Sequence, residues 1–389
     1  MIRFIHCADL HLDRPVSIPE TVPAEQKAAL QRSAKVSFSN ACETAAAERV
    51  DFMLISGDLY HYETRSLSAQ RYLRSELEKL ARRHIPVYII HGNHDPVISG
   101  RAALPMPENV HVFSEEGERV TLSCREETVH LYGFSYSGSS HPDSPINKLK
   151  LQPDNGFHIG LLHGQEAAGA AHDYAPFQLR ELKEAGFDYW ALGHIHQRSE
   201  LSKVPPIHYP GSIIGASRKE TGAKGVLMVE LEADRPPAVT FMETAPFVRE
   251  NVSIDCTGIE TIDELVSACF AGLNTNTLYS IILAGTLSIA GLETSGQVDL
   301  HLMLADEAEA SGIILDKIFN HTERESEALA SDLQHELKLA VNDMKADGSL
   351  HQLTKHPVIS RHLPDSLKED ELFWQDVWRE LISAGGTSK

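Results

Sequence analysis

Cysteine is scarce and scattered. The five residues, Cys7, Cys42, Cys124, Cys256 and Cys269, form no C-x-x-C pair. An odd, dispersed set excludes a disulfide framework and argues against a thiolate-rich structural zinc site. These thiols read as buried or inert. Long apolar runs are missing as well, since none reaches the roughly 18 to 20 residues that a membrane helix needs. The nearest, LYSIILAGTLSIAGL from Leu278, carries Ser, Thr and Gly and reads as one or two buried strands. The start, MIRFIHCADLHLD, lacks the apolar core and cleavage site of a secretory signal. The expectation is a cytoplasmic protein with no membrane association. Positive charge is also short: 35 Lys and Arg against 55 Asp and Glu give a net charge of −20. A protein that grips nucleic acid through its surface alone is usually basic. A nucleic-acid substrate would need metal ions and a few cations, or a partner subunit, to hold it locally.

What the chain does have is length, an ordinary globular composition and histidine. Its 389 residues, 42% hydrophobic and 23% charged, suggest two or three domains. The 21 histidines are placed informatively. IRFIHC runs into Asp9 and His11. DFMLIS runs into Gly57, Asp58 and, three residues later, His61. PVYII runs into His91-Gly92-Asn93-His94-Asp95. FHIGLL runs into His163-Gly164, and FDYWAL into Gly193-His194-Ile195-His196. Five strand-like runs each end where metal-binding side chains begin.

Helix-like segments lie between them. AEQKAALQRSAKVSFSNACETAAAERV has apolar residues at helical spacing. SLSAQRYLRSELEKLARRH puts Leu73, Leu77 and Leu80 on one face, and QLRELKEAG ends in Gly186, a C-cap signal. Alternating strands and helices imply βαβ units and a largely parallel sheet. Ligands bind at the carboxyl edge of such sheets, so residues distant in sequence would converge there. The short β-rich segments VHVF, RVTLS, TVHLYGF, GVLMVELE and AVTFME suggest a second sheet packed on the first. The expected fold is an α/β/β/α sandwich.

Asp9, His11, Asp58, Asn93, His163, His194 and His196 mix imidazole with carboxylate and amide oxygen. That donor set suits Mn, Fe or Zn. Seven donors are too many for one tetrahedral ion and match two ions sharing a carboxylate. Such a pair, ~3.5–4 Å apart, can clamp the attacking and leaving oxygens of a phosphoryl displacement.

The order D-x-H, G-D, G-N-H-D, H, G-H-x-H resembles the calcineurin-like metallophosphoesterases. Within them it is similar to the SbcD and YhaO type of DNA repair exonuclease. Three details carry that narrower likeness: His61 following Asp58, the opening HCADLHLD, and IHYPGSIIGASRKETGAKGVLMVEL after GHIH. The motifs span residues 1 to about 230. The resemblance implies one ion on Asp9, His11, Asp58 and His196, and another on Asp58, Asn93, His163 and His194, with Asp58 as the bridge. His94 would stabilise the transition state or protonate the leaving oxygen, with His61 assisting. The implied cofactor is two divalent ions, Mn2+ first, with Fe and Zn as alternatives.

Several neighbours stay open. Asp95 could orient His94 or close the turn, and Asp13 could support the site or cap a helix. His91 and His208 lie near motifs. Arg218 and Lys219 could contact DNA phosphate, although a solvated surface is the simpler reading. His6, His84 and His158 read as structural.

The pattern restarts near Pro246. Residues 1–247 are expected to form the phosphoesterase domain. Residues 248–322 are expected to form a small α/β capping domain, with a helix at TIDELVSACFAGL and strands at YSIILAGTLSI and QVDLHLMLA. Residues 323–389 read as helical, with a stripe of Leu329, Leu333, Leu337 and Val341 and a second face of Trp374, Val377, Trp378 and Leu381. The resemblance implies that these helices bind an SMC-like coiled-coil ATPase, that the capping domain helps choose DNA, and that the chain forms a homodimer. The expected activity is Mn-dependent DNA hydrolysis, exonucleolytic and tied to repair. The alternatives are a phosphoesterase for small molecules or phosphoproteins and a metal-stabilised scaffold without catalysis.

Overall fold

A strand that is apolar on both faces needs cover on both. This is the situation of β1 (Ile2–Cys7), β2 (Phe52–Ser56) and β3 (Val87–Ile90). The computed structural model describes residues 1–19, 22–61, 66–97, 103–167, 174–287, 289 and 297–322. Successive side chains on a strand alternate between faces. Ile2 and Phe4, Phe52 and Leu54, and Tyr88 and Ile90 enter one apolar cluster. Ile5 and Cys7, Met53 and Ile55, and Val87 and Ile89 enter another. Helices α2 (Ser33–Ala47) and α3 (Leu67–Arg82) cover the second cluster with Phe38, Ala41, Leu73, Leu77 and Leu80. Burying each such side chain stabilises the fold by roughly 1.5–3 kcal/mol.

β1, β2 and β3 are parallel and lie at the centre of a six-stranded sheet of order β12-β11-β1-β2-β3-β4. Its other strands are β4 (Val110–Val112), β11 (Gly225–Glu232) and β12 (Arg235–Glu243). β11 runs antiparallel to β1 and β12 antiparallel to β11. Pro236 and Pro237 fall on β12, the edge strand, where a missing N–H is tolerated.

The second sheet contains β5 (Glu118–Cys124), β6 (Glu127–Gly133), β7 (Phe157–His163), β8 (Tyr189–Gly193), β9 (Ser199–Lys203) and β10 (Pro206–Tyr209), in the order β5-β6-β7-β8-β10-β9. Ile159, Leu161, Tyr189 and Ala191 meet the first sheet. Leu162, Trp190 and Leu192 face outward, onto Phe187 and onto Leu182 of α4 (Leu179–Glu184). Gly186 follows α4 at φ 83°, as its C-cap signal predicts. The layers are helix, sheet, sheet, helix, which is the sandwich the sequence pattern predicts.

Three details differ from the sequence expectation. The five runs that end in donors do not share a sheet: β1, β2 and β3 lie in the first, β7 and β8 in the second. The β-rich segments divide the other way, since β4, β11 and β12 extend the first sheet. Burial pattern tells how a strand is covered, not which strand it pairs with. Finally, QVDLHLMLA is not a strand but the start of a helix, Gln297–Ala310. Its alternation of apolar residues suggests period two, but ADEAEA continues it with good helix formers. Leu300, Leu304 and Ala308, spaced by four, are its buried positions.

The long segment after Pro23 is also split, into α1 (Ala24–Gln31) and α2, with Arg32 between them. A small third sheet has the order β13-β14-β15, from β13 (Val248–Asp255), β14 (Thr277–Ala284) and β15 (Ile314–Asn320). TIDELVSACFAGL supplies α5 (Ile262–Phe270). By contacts the chain divides into Met1–Ser253 with Cys269–Ile282 and Gln297–Phe319, and a second unit of Ile254–Ala268, Leu283–Gly296 and Asn320–Lys389. The helices expected over 323–389 lie outside the described residues. Among the described residues no helix is long and apolar enough to cross a membrane.

Candidate metal centre

The donors sit on backbone that leaves its strand sharply. Asp9, His11, Asp58 and His194 have φ of 52°, 42°, 55° and 101°. L-residues avoid this region, and holding one there costs on the order of 1–3 kcal/mol. Neighbouring bonds supply the compensation. The N–H groups of Asp9, His11 and Leu12 donate to the carbonyls of Gly57, Asp58 and Leu59 at 3.1, 3.0 and 3.0 Å, which zips the first loop to the second. Asp95 ties in the third. Its Oδ2 accepts from Leu59 N–H at 2.9 Å and lies 3.0 Å from His91 Nδ1; its Oδ1 accepts from Gly92 N–H at 2.8 Å. Asp95 therefore closes the GNHD turn and joins it to the Asp58 loop, and His91 supports that turn.

All seven predicted donors are brought together. His11 Nε2 lies 3.1 Å from His196 Nε2, which is 4.0 Å from Asp9 Oδ1. His163 Nε2 lies 3.0 Å from Asn93 Oδ1, and His194 Nδ1 lies 3.2 Å from the same oxygen. Asp58 Oδ2 faces both groups, 3.7 Å from His11 Nε2 and 3.4 Å from His163 Nε2. Asp9 also belongs to both, since its carboxylate, that of Asp58 and His163 lie within 4.8 Å of one another. Asp58 Oδ1 accepts the backbone N–H of His94 at 3.0 Å.

This donor set fits divalent cations. Acceptor atoms face one another at close range, and buried lone pairs in that arrangement need a cation between them. Imidazole, carboxylate and amide oxygen without thiolate is borderline-hard chemistry. His11 Nδ1 is buried with no hydrogen-bond partner among the described residues. In the metal-free protein, protons do part of the cation's work. Burial opposes a charge on His163, yet Asp58 and then Asp9 push it up to about 9. Burial likewise opposes the Asp58 carboxylate, but His163 and His11 hold it well below the usual range. Burial pushes Asp9 up to about 6, against His163 and His196, with the Asp58 charge adding to the rise. Burial holds His11 and His194 down to about 3, as neutral ligands.

Three glycines leave room for the His163 ring, whose Nδ1 lies 2.9 Å from the Ser56 carbonyl. A Cβ on Gly57, Gly92 or Gly193 would collide with that ring. At Gly92 it would lie 2.7 Å from His163 Nε2 and also strike the Asp58 carboxylate. Gly92→Ala is expected to weaken metal uptake at least tenfold and to lower stability by about 1–3 kcal/mol, the usual range for overpacking. Isothermal titration with Mn2+ and thermal melts of the metal-free protein check this. Wild-type metal affinity in the variant would contradict it.

The two predicted catalytic histidines stand beside the donors. The His61 and His94 rings stack at 4.7 Å and 27°, and the His94 ring centroid is 5.0 Å from that of His11. Burial lowers the proton affinity of His94 despite Asp58. Asp13 positions this corner: Oδ1 accepts from His61 N–H and Oδ2 from Ser66 N–H, both at 2.7 Å. Ser66 in turn caps α3, accepting from Ala69 N–H.

The remaining candidates are placed elsewhere. His208 stacks on Tyr189 at 5.9 Å, and the Tyr189 hydroxyl lies 3.0 Å from His6 Nδ1. His158 lies 3.1 Å from the Tyr132 hydroxyl, and His84 ends α3 at φ 58°. Arg218 pairs with Asp316 at 3.1 Å, and Lys219 is exposed. Sequence reasoning missed Glu220, whose Oε1 lies 2.5 Å from His196 Nδ1 and 3.1 Å from Arg14 Nη1. It also missed Lys224, which donates to the His196 carbonyl at 2.8 Å, and Tyr174, whose ring lies 4.8 Å from that of His194. Burial opposes the Glu220 charge, but the His196 bond brings its carboxyl down to about 2. The sole signal for Glu220 was its place in the segment after YPGS.

Residues 2–198 match the family model described as calcineurin-like phosphoesterase. An uncharacterized metallophosphoesterase of Bacillus subtilis strain 168, YhaO, is 32% identical over 387 residues, covering 95% of this chain and 94% of its own. The DNA double-strand break repair protein Mre11 of Sulfurisphaera tokodaii is 27% identical over 217 residues, 51% of this chain and 54% of that protein. The chain thus spans about half the length of that relative. Among solved structures, a dimetal phosphatase from Danio rerio matches at 12% identity and a TM-score of 0.37, over 62% of this chain and 99% of its own. With its motifs, two-sheet sandwich and donor cluster in one place, the chain belongs to the calcineurin-like phosphoesterase family.

Proposed function

We propose that the chain is a two-metal phosphodiesterase acting on DNA, an exonuclease of DNA repair with Mn2+ as its working ion. The carrying observation is the pair of donor groups sharing Asp58, with the His61–His94 stack beside them. The likeness to an Mre11 DNA double-strand break repair protein supports DNA as substrate. Asp9, His11, Asp58 and His196 would hold one ion, and Asp58, Asn93, His163 and His194 the other. Bound there, divalent ions supply Lewis acidity and neutralise charge on the phosphoryl oxygens.

The chain's own groups do the rest. In hydrolysis water adds to phosphorus and gives up a proton, the P–O bond to the departing sugar breaks, and that oxygen takes up a proton in turn. The His94 ring, stacked on His61, would carry that proton. Asp13 holds the His61 backbone, and Asp95 holds the turn that presents His94. With a net charge of −20, the chain has little general attraction for DNA. An SMC-like ATPase partner, bound through the C-terminal region, would supply that grip.

The test is linear double-stranded DNA labelled separately at each end, incubated with Mn2+ or with chelator. Shortening that needs Mn2+ supports the proposal and gives the polarity. A second reading, a phosphoesterase for small molecules, is favoured by the net negative charge. Hydrolysis of a small phosphodiester or phosphomonoester, with DNA left intact even when the ATPase is added, would select it.

A further inference from the structure

Glu220 lies outside the seven donors and outside the His61–His94 pair. It sits between β10 and β11 and is 8% exposed. Its Oε2 accepts from Ser217 N–H at 2.7 Å; its Oε1 lies 3.1 Å from Arg14 Nη1 and 2.5 Å from His196 Nδ1. An ionised carboxylate can only accept, so the hydrogen is on His196 Nδ1. Arg14 Nη1 also lies 3.4 Å from that nitrogen, but it is closer to the carboxylate and serves as its counter-charge. With Nδ1 carrying the hydrogen, the free lone pair of the neutral ring is at Nε2. That atom faces His11 Nε2 and Asp9.

The backbone of His196 is held by the same segment. Its carbonyl accepts from Lys224 Nζ at 2.8 Å and from Ser212 N–H at 3.2 Å. The segment is anchored in turn by Arg249, which is 2% exposed. Arg249 Nε donates to the Gly215 carbonyl at 2.6 Å, and its carbonyl accepts from Gly222 N–H at 2.9 Å. Its guanidinium also pairs with buried Asp316 on β15. By contrast, among the described residues His11 Nδ1 is buried without a hydrogen-bond partner, and His163 Nδ1 meets the Ser56 carbonyl. Among these three rings, His196 is the one aimed by a charged side chain.

We propose that Glu220 is a positioning residue for one of the two ions: by binding His196 Nδ1 it aims Nε2 at the Asp9–His11 group. It thereby sets affinity for that ion and not for the ion of Asn93, His163 and His194. This rests on the two-ion reading of the donors. Carboxylate partners of ligating histidines typically contribute about 10–100-fold in metal affinity.

The experiment is a Mn2+ titration of the full-length metal-free protein, followed by calorimetry and by electron paramagnetic resonance of free Mn2+. Wild type is expected to take up two ions. Glu220→Ala is expected to weaken one of them about 10–100-fold and leave the other within twofold. Glu220→Gln, whose amide oxygen can still accept from Nδ1–H, is expected to recover most of the loss. Equal weakening of both ions, no weakening of either, or no recovery in Glu220→Gln overturns the assignment. Thermal melts without metal accompany each variant. If Glu220→Ala does not fold, the isosteric Glu220→Gln decides: selective weakening of one ion supports the role, and weakening of both or neither removes it. Wild type binding fewer than two ions overturns the two-ion reading itself, a result distinct from any behaviour of the variants.

Discussion

Asp58→Asn is expected to lower phosphodiester hydrolysis by at least roughly 10³-fold, the scale of a few kcal/mol of lost charge stabilisation. Asp58 Oδ2 is the atom that faces both donor groups, at 3.7 Å from His11 and 3.4 Å from His163. An amide at that position removes the negative charge the two ions would share. The other oxygen accepts His94 N–H at 3.0 Å, and asparagine can keep that bond, so the loop should hold its shape. Bound Mn2+ should fall from two ions to one or none. Two ions retained at wild-type affinity would contradict the bridging role.

The same variant should change the metal-free protein. Against burial, Asp58 is the main group raising His163 from 6.5 to about 9. A raised folded-state pKa means that the unfolded chain releases this proton first as pH rises. The His163 contribution to stability is therefore complete below pH 6.5 and is lost as pH rises through about 9. Thermal melts of chelated wild type should show that decline. In Asp58→Asn it should disappear, because burial then keeps the ring neutral. An unchanged melting profile between those limits would show that Asp58 does not hold the proton.

His94→Ala is expected to reduce turnover on DNA by about 10²–10⁴-fold while both ions remain bound. The reasoning separates the backbone of His94 from its ring. The backbone N–H supports Asp58, and that bond survives the substitution. The ring lies beside the donors, stacked on His61, and belongs to neither of the two Asp/His donor groups among the described residues. A sugar oxygen leaving from phosphorus needs a proton; a nitrophenolate does not. The loss should therefore be large on DNA and small on a nitrophenyl phosphodiester. Equal losses on both substrates, or loss of metal along with activity, would remove His94 from proton delivery. His61→Ala should show the same substrate pattern with a smaller amplitude, since His61 acts through the His94 ring.

Much of this site is legible along the chain. Asp9 and His11, Asp58, Asn93 and His94, His163, and His194 and His196 each follow an apolar run at once. That juxtaposition is local, and a strand's end can be read from its neighbours. The covering of β1, β2 and β3 on both faces is legible for the same reason. The helix at Gln297–Ala310 shows the limit: its first residues alternate like a strand, and the residues that decide for helix come later.

Other features depend on chain segments that meet only after folding. β1 pairs with β11, placing Ile2 opposite Leu231. No local pattern specifies that partner, or the division of the five donor-bearing strands between two sheets. The positive φ of Asp9, His11 and Asp58 is supported by hydrogen bonds between two loops distant in sequence. Glu220 reaches His196 across 24 residues, and Arg249 reaches the Gly215 loop across 34. Residue types and their order at strand ends determined the fold class and the donor set. Which oxygen of Asp58 faces both groups, which nitrogen of each imidazole is free, and which carboxylate aims His196 were decided by packing, because each depends on distances that only the folded chain defines.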